Sequence, residues 1–207
     1  HSYLADFGFG QPTGIDLPGE ASGLLRPPNK WFEVDLAAIS FGQGVSVTPL
    51  QLTVATAAIA NGGYLMEPFV VERVVDRQGQ VTRKNQPRVV RKVIARDVAT
   101  RVSRMMEMTT EEGGTATNAR VPGFRVAGKT GTAQKSRDGM GYTPGAYIAS
   151  FAGLLPVEDP RLVVLTVLDE PVGARPRGAS SFRPFSPITP PSDSPRLTTT
   201  ILSTASS

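Results

Sequence analysis

Three strand-like stretches in the second half of the chain constrain its fold more than any other feature. Val126–Lys135, Tyr147–Leu155 and Arg161–Asp169 each have the length and composition of a β-strand. The connections, residues 136–146 and 156–160, are too short to hold a crossover helix, so we expect antiparallel neighbours. The third stretch is almost continuously apolar, which predicts a central strand that is covered on both faces.

Two helices are predicted ahead of these strands. The first spans about residues 48–61, because Thr48 and Gln51 have the spacing of a capping box and Pro49 suits the first helical position. The second runs from about Arg96 to Met108 and has one apolar stripe. That stripe is predicted to face the core with Val98, Val102, Met105 and Met106, leaving Arg101, Arg104 and Glu107 outside.

A β-hairpin is predicted between the helices, where residues 69–76 and 80–84 flank a glycine-containing turn. The 207 residues are enough for one domain with a sizeable core. This order of elements predicts an α+β fold in which helices cover an antiparallel sheet.

The first of the three strands carries a compact polar group. Lys129 supplies a point charge, Thr130 and Thr132 supply hydroxyl donors, and Gly131 lets a ligand approach the backbone closely. This grouping suits an anionic ligand that lies along a strand edge. The same four residues also fit an ordinary edge strand with a solvated lysine, and by themselves they leave both interpretations open.

Lys129-Thr130-Gly131 is also the third signature of penicillin-binding proteins and serine β-lactamases. Further blocks resemble the penicillin-binding transpeptidases and follow one another in that family's order. The Ser-Phe-Gly-Gln-Gly sequence is most similar to the class B, division-type enzymes. Together the blocks extend over roughly residues 3–170; they are Gly8–Glu20, Ser40–Gly44, Val47–Leu52, Gly113–Ala116, Val126–Lys135, Tyr147–Gly153 and Asp159–Val164.

The resemblance implies a peptidoglycan D,D-transpeptidase of the penicillin-binding and serine β-lactamase-like fold. Such an enzyme acts on stem peptides that end in D-Ala-D-Ala and binds β-lactams. Lys129 and Thr132 would be its catalytic residues here, through positive potential and through a backbone N–H in the oxyanion hole. Thr130, Gly131 and Thr132 would bind the substrate and its terminal carboxylate.

The family's other two signatures, Ser-x-x-Lys and Ser-x-Asn, do not occur in the chain, which begins with His1 rather than Met. We therefore expect residues 1–170 to be the C-terminal portion of a transpeptidase domain that lacks its N-terminal part. Without the serine, this fragment is expected to be inactive alone. A β-lactam sensor, a β-lactamase-like protein and an inactive remnant stay open as alternatives on the same fold.

The resemblance also bears on location and partners. It implies a parent protein on the extracytoplasmic face of the bacterial plasma membrane, held by an anchor outside this chain. No apolar run here reaches the ~20 residues that a membrane-spanning helix needs. Cell-division proteins would be partners through the parent protein.

A competing motif overlaps the same strand. Gly123–Thr130 satisfies the phosphate-loop pattern G-x-x-x-x-G-K-[ST], and Leu162–Glu170 is similar to the strand that accompanies it. A phosphate loop follows a strand and opens a helix. Here Pro122 and Gly123 precede the apolar run, and no helical periodicity follows it, so nucleotide binding is the less favoured interpretation.

Composition excludes several kinds of site. The chain has no cysteine, and its single histidine is His1, which argues against thiol chemistry, a zinc site and a Ser-His-Asp triad. We expect no metal and no cofactor. Residues 171–207 contain four Arg and one Asp, so they carry +3 of the net charge of +4; the nearly neutral remainder predicts no nucleic-acid partner.

Residues 171–207 differ from the rest of the chain, with 13 Ser/Thr and 7 Pro. Such a composition buries too little apolar area to offset its ordering entropy, which predicts a disordered tail. The family usually continues with an apolar helix at this point. A frameshift near residues 172–174 would explain the difference, and a natural disordered tail is the alternative.

Overall fold

The computed structural model describes residues 1–40, 42–137, 141–171 and 196–203, with no account of side chains at 136–137 and 196–203. Two short 3₁₀ helices lie at Pro28–Lys30 and Thr117–Ala119. In chain order the other elements are α1 (Ser2–Asp6), α2 (Glu33–Ser40), α3 (Pro49–Ala60), β1 (Tyr64–Glu67), β2 (Arg73–Val75), β3 (Val81–Lys84), β4 (Arg88–Lys92), α4 (Arg96–Glu107), β5 (Ala127–Arg137), β6 (Gly141–Leu155), β7 (Leu162–Asp169) and β8 (Arg196–Ser203).

The main sheet has the strand order β5-β6-β7-β8 with every pair antiparallel, so the predicted arrangement of the three strands is confirmed. Strand β7 lies inside this sheet, as its apolar sequence predicts. Val163 and Leu165 are fully buried on one of its faces, whereas Val164 on the other face is half-buried. Among the described strands, β5 is an edge strand of this sheet, and this places the polar group of residues 129–132 at the edge.

The two faces of the sheet contact different parts of the chain. On one face, Ala127 of β5, Leu154 of β6 and Val163 of β7 form a cluster with Ala60 of α3. On the other face, the ring of Phe151 packs with a cluster from the segment after α4 and its sheet neighbours: Ala116, Ala119, Ala149 and Leu168. Successive residues of β5 therefore point alternately to the helices α3 and α4 and to the segment at 116–119.

Helix α3 begins as its sequence predicts. Thr48 Oγ1 accepts from the Gln51 N–H at 3.1 Å, and the Gln51 side chain accepts from the Thr48 N–H at 2.9 Å. The same Gln51 amide donates to the carbonyl oxygens of Gln11 and Ser22, at 2.7 and 2.8 Å. The capping glutamine, which is 1% exposed, therefore also attaches the N-terminal loop to the core.

The buried face of α4 differs from the prediction. Met105 is 65% exposed, and the face that packs inward contains Ala99, Ser103 and Glu107. Glu107, predicted to lie outside, is 9% exposed because Arg125 pairs with both of its carboxylate oxygens, at 2.5 and 2.6 Å. Val98, Val102 and Met106 of the predicted stripe are half-buried, and Met106 packs against the cluster that contains Leu154. The prediction is wrong for Met105 and Glu107, since a charge with a bidentate partner can be buried.

The predicted hairpin exists as β2 and β3, and a second two-stranded sheet pairs β1 with β4, which the sequence analysis did not predict. Asp16, from the N-terminal loop, accepts hydrogen bonds from the N–H groups of Val70 and Val71, at 2.8 and 3.0 Å. A loop carboxylate thus fixes the residues that lead into β2.

Within the predicted tail, the structure describes residue 171 and the strand formed by residues 196–203. This strand is β8, which pairs with β7 from Asp169↔Arg196 to Leu162↔Ser203. The Thr- and Ile-containing sequence of this segment has β-propensity, and β7 offers it an edge for pairing. Residues 172–195 and 204–207 lie outside the described residues, so the rest of the tail and its origin stay predictions.

Candidate functional site

The polar group predicted from the sequence lies on β5 within a regular antiparallel ladder. Lys129 pairs with Ala152, Thr130 with Phe151, Gly131 with Ser150 and Thr132 with Ala149. Lys129 and Thr132 are exposed, and Thr130 and Gly131 are half-buried. Strand alternation places the side chains of Thr130 and Thr132 on one face of the sheet and the side chain of Lys129 on the other. Groups from both faces can therefore meet one ligand only at the edge of the sheet.

The turn that follows α4 fixes this strand through two hydroxyl groups. Thr110 Oγ1 donates to the Val126 carbonyl at 2.6 Å, and Thr109 Oγ1 donates to the Gly128 carbonyl at 2.8 Å. Residues two apart in an antiparallel strand direct their N–H and C=O groups to the same edge. Thr130 and Thr132 continue this series, so the Thr132 N–H points to the edge that this turn contacts.

Lys129 reaches the same edge with its side chain. Its Nζ donates to the Thr130 carbonyl at 2.7 Å, and the side chain is solvent-exposed. An exposed ammonium group on a flexible stem can exchange this contact for an anionic ligand. The edge therefore combines a cation, two hydroxyl groups and a backbone donor within four residues.

Glycines on β5 are required by close neighbours. A Cβ at Gly128 would lie 2.3 Å from Cζ of the buried Phe151, and a Cβ at Gly131 would lie 2.6 Å from Ser150 Oγ. The sequence analysis predicted that Gly131 leaves space for a ligand. The structure shows that Gly131 also leaves space for the side chain of the neighbouring strand.

Thr115 lies beside the candidate site, and residue chemistry did not identify it. Its Oγ1 lies 3.2 Å from Oγ1 of Thr130, within hydrogen-bond distance. The turn that presents it is tightly packed, since the Ala116 N–H donates to the Thr109 carbonyl at 2.7 Å and Ala116 is fully buried. A Cβ at Gly114 would lie 2.3 Å from that same carbonyl. Only the resemblance block Gly113–Ala116 pointed to this turn.

The phosphate-loop interpretation is wrong. Lys129 and Thr130 lie inside β5, which continues as a strand to Arg137, whereas a phosphate loop would open a helix at this point. The predicted absence of a metal site stays a prediction. Within the part of the chain that the structure describes, no group of three or more His, Cys, Asp or Glu could hold a metal ion. In those same residues, no helix is both long and apolar enough to cross a membrane.

A cavity of about 390 Å³ lies beside the start of β5 and not at the polar group. Arg120 and Arg125 line it, and both are paired: Arg120 Nη2 lies 3.6 Å from Glu111 Oε2, and Arg125 binds Glu107 and Glu158. The hydrogen bonds that Arg125 donates to Glu107 first and to Glu158 second raise the pKa of Arg125. The cavity has no unpaired cation in the described contacts that would attract an anionic ligand.

Comparison with protein families gives one match, described as penicillin binding protein transpeptidase domain, over residues 1–188. Stage V sporulation protein D of Bacillus subtilis is 43% identical over 184 residues, which are 88% of this chain and 28% of that protein. The probable peptidoglycan D,D-transpeptidase PbpC of Pseudomonas aeruginosa is 34% identical over 168 residues, 81% of this chain and 28% of that protein.

Solved structures that resemble this chain are also penicillin-binding proteins. Apo penicillin-binding protein 3 of Mycobacterium tuberculosis matches with a TM-score of 0.78 and 38% identity, over 86% of this chain and 41% of that one. Its complex with ampicillin matches with a TM-score of 0.76 and 37% identity, over 81% of this chain and 38% of that one. The chain thus spans between a quarter and one half of the proteins it matches.

Proposed function

The chain belongs to the penicillin-binding protein transpeptidase family, and from this we propose that it is the C-terminal portion of a peptidoglycan D,D-transpeptidase domain. The observation that carries the proposal is the exposed edge of β5, where Lys129, Thr130 and Thr132 lie side by side on a strand fixed by the turn after α4. This edge fits an extended peptide that ends in a carboxylate. Such a peptide can align with the edge and meet a cation at its end.

The proposed roles follow from what each group can donate. Lys129 supplies positive potential for the terminal carboxylate of a stem peptide that ends in D-Ala-D-Ala. Thr130 and Thr132 donate hydroxyl hydrogen bonds to it. The Thr132 N–H, on the contacted edge, stabilises the oxyanion that forms when a nucleophile attacks the penultimate carbonyl. Thr115 holds the Thr130 hydroxyl in place through the 3.2 Å contact.

The nucleophile belongs to the part of the parent protein outside these residues, because the 207 residues contain no Ser-x-x-Lys sequence. In the proposed reaction, that serine forms an ester with the donor peptide and releases D-alanine. An amine of a neighbouring peptidoglycan strand then attacks the ester carbonyl; the acyl group passes to this amine as an amide, the bond to the serine oxygen breaks, and the serine hydroxyl is regenerated. A β-lactam carries a carboxylate near its reactive carbonyl, so the same edge would bind it and lead to a stable acyl-enzyme.

The remaining parts of the proposal concern the parent protein. Its partners are peptidoglycan stem peptides, β-lactams and, through other regions, cell-division proteins. Its location is the extracytoplasmic face of the bacterial plasma membrane, where peptidoglycan is assembled, with an anchor outside this chain. Family membership supports these statements.

Labelling with a fluorescent penicillin tests the proposal. We expect the complete parent protein to acquire a stoichiometric label that resists denaturation, and the 207-residue chain to acquire none. With a D-Ala-D-Ala peptide and an amine acceptor, the complete protein should release D-alanine and form the cross-linked product. A folded complete protein that does neither would disprove the proposed activity, whereas labelling followed by rapid hydrolysis would indicate a β-lactamase.

A further inference from the structure

The pairing between β5 and β6 is interrupted just beyond the candidate site. Gln134 pairs with Tyr147, and the next pair is Ser136 with Tyr142. Lys135 therefore has no paired residue on β6, and residues 143–146 of β6 have no paired residue on β5. At a bulge of this kind, a strand loses its regular ladder and bends more easily. Thr132 lies only three residues before this point.

The Lys135 side chain supplies an attachment at this position. Its Nζ lies 2.9 Å from Oδ1 of Asp169 and 2.7 Å from Oε1 of Glu170, at the end of β7. The contact crosses β6, since Ile148 pairs with Ala133 on one side and with Asp169 on the other. The hydrogen bonds that Lys135 donates to Asp169 first and Glu170 second raise the pKa of Lys135, so the ammonium stays charged in neutral solution.

The end of β7 that binds Lys135 is held by a backbone hydrogen bond to β6. The Glu170 N–H donates to the Tyr147 carbonyl at 2.9 Å, and Tyr147 is the residue that pairs with Gln134. Glu170 adopts a φ of 49°, a left-handed conformation that is uncommon for residues other than glycine. The chain therefore turns at Glu170 in a way that directs two consecutive carboxylates, those of Asp169 and Glu170, to one lysine.

We propose that the contact of Lys135 with Asp169 and Glu170, the Lys135 clamp, is a positioning device that holds the end of the substrate-binding strand where its ladder is interrupted. The proposal rests on the proposed transpeptidase function for its catalytic consequence. Lys135 touches no reacting atom; it acts through the Thr132 N–H. A displacement of about 1 Å at a reacting group can cost up to ~100-fold in rate.

The clamp contributes little to global stability. Lys135 is 31% exposed and its two carboxylate partners are 40% and 58% exposed, so solvent screens both ion pairs. Removing the Lys135 side-chain charge is therefore expected to loosen only the end of β5, without lowering the stability of the whole fold. This separates a positioning role from a structural one, because the variant should fold and melt like the wild type while the strand end becomes mobile.

Hydrogen exchange on the full 207-residue chain tests the clamp without any activity. Lys135→Met keeps the apolar stem and removes the charge, and Lys135→Arg restores it. We expect the amides of Gly131 and Ala133, which face β6, to exchange roughly fivefold faster in Lys135→Met, with α3 unchanged and with Lys135→Arg close to wild type. Lys84→Met, on the exposed strand β3, is the matched control and should change nothing in β5.

Acylation of the complete parent protein by benzylpenicillin tests the consequence. Lys135→Met should lower the acylation rate constant roughly tenfold, with the preceding dissociation constant changed less than twofold, and Lys135→Arg should recover most of the rate. Asp169→Asn should also lower the acylation rate constant. The double variant with Lys135→Met should lose less rate than the two single losses multiplied together.

The outcomes separate the two ideas. If the folded complete protein is not acylated, the transpeptidase proposal fails, and the exchange data still decide whether the clamp holds the strand. If acylation proceeds and Lys135→Met matches wild type in exchange and in rate, the clamp is overturned. A loss that Lys135→Arg does not recover, or one that Lys84→Met shares, also overturns it.

Discussion

Gly128 provides the sharpest test of how β5 packs against the Phe151 ring of the neighbouring strand. A Cβ at this position would lie 2.3 and 2.5 Å from Cζ and Cε2 of Phe151 and 2.9 Å from the Ala152 carbonyl oxygen. Real Cβ contacts need about 3.4 Å or more, so the overlap with the ring is about 1 Å. Phe151 is 4% exposed and packed among alanines, so the ring has little room to move.

We therefore expect Gly128→Ala to be destabilising near the upper end of the range for overpacked cores, about 3 kcal/mol. For a chain of 207 residues, this corresponds to a fall in melting temperature of roughly 6–12 °C. Thermal unfolding of the full chain, followed by circular dichroism, measures it. Lys129→Ala is the control on the same strand, since its side chain is exposed and should leave the melting temperature unchanged.

A second substitution locates the cause. Phe151→Leu removes the ring atoms that the new methyl group would meet and by itself costs on the order of 1 kcal/mol. The double variant should therefore lose less stability than the two single losses added together, although the Ala152 carbonyl contact remains. Additive losses, or a Gly128→Ala chain that melts like wild type, would refute the inferred contact between β5 and the ring.

Three further predictions concern the site, the buried charge and acid stability. In the complete parent protein, Lys129→Ala should slow acylation roughly 10- to 160-fold, the equivalent of a charge-assisted contact of about 1.5–3 kcal/mol, and Thr132→Val should cost less because the N–H remains; equal rates would remove this strand from the site. Glu107→Gln should lower the free energy of unfolding of the full chain by about 2 kcal/mol in urea titration, since the charge that pairs with its arginine is lost; an unchanged midpoint would contradict this. The hydrogen bond from the Val70 N–H is the main cause that lowers the pKa of Asp16, so its carboxylate stabilises the fold above the unfolded value near 3.8, and this contribution is lost as pH falls through the lower folded value. The stability advantage over Asp16→Asn, read from melting curves, should be present at neutral pH and disappear in acid; a constant difference would show that the carboxylate charge is not responsible.

Local sequence rules predicted the elements that depend on neighbours in the chain. The Thr48–Gln51 capping box, the antiparallel strands and the β2–β3 hairpin are confirmed, because caps, short connections and glycine turns act within a few residues. Residue chemistry also identified the polar group of β5, and the order of blocks identified the family.

The failures lie where the outcome depends on residues distant in the chain. Periodicity placed Met105 inside and Glu107 outside, but a bidentate contact with Arg125, 18 residues later, stabilises the buried carboxylate. Residues 196–203 pair with β7, and composition alone does not show that this edge is open to them. Neither Arg125 nor the edge of β7 is visible in the local sequence pattern around the residues they contact.

The sequence by itself therefore determined which strand carries the candidate site, since Lys129, Thr130 and Thr132 are adjacent and their chemistry needs no folding to be recognised. Only the tertiary structure decided how that strand is held. Thr109 and Thr110 fix its beginning, Thr115 contacts Thr130 beside it, and Lys135 attaches its end to β7. The reason is physical: hydrogen bonds and ion pairs between residues 15 to 35 positions apart exist only after the sheet has brought those residues together.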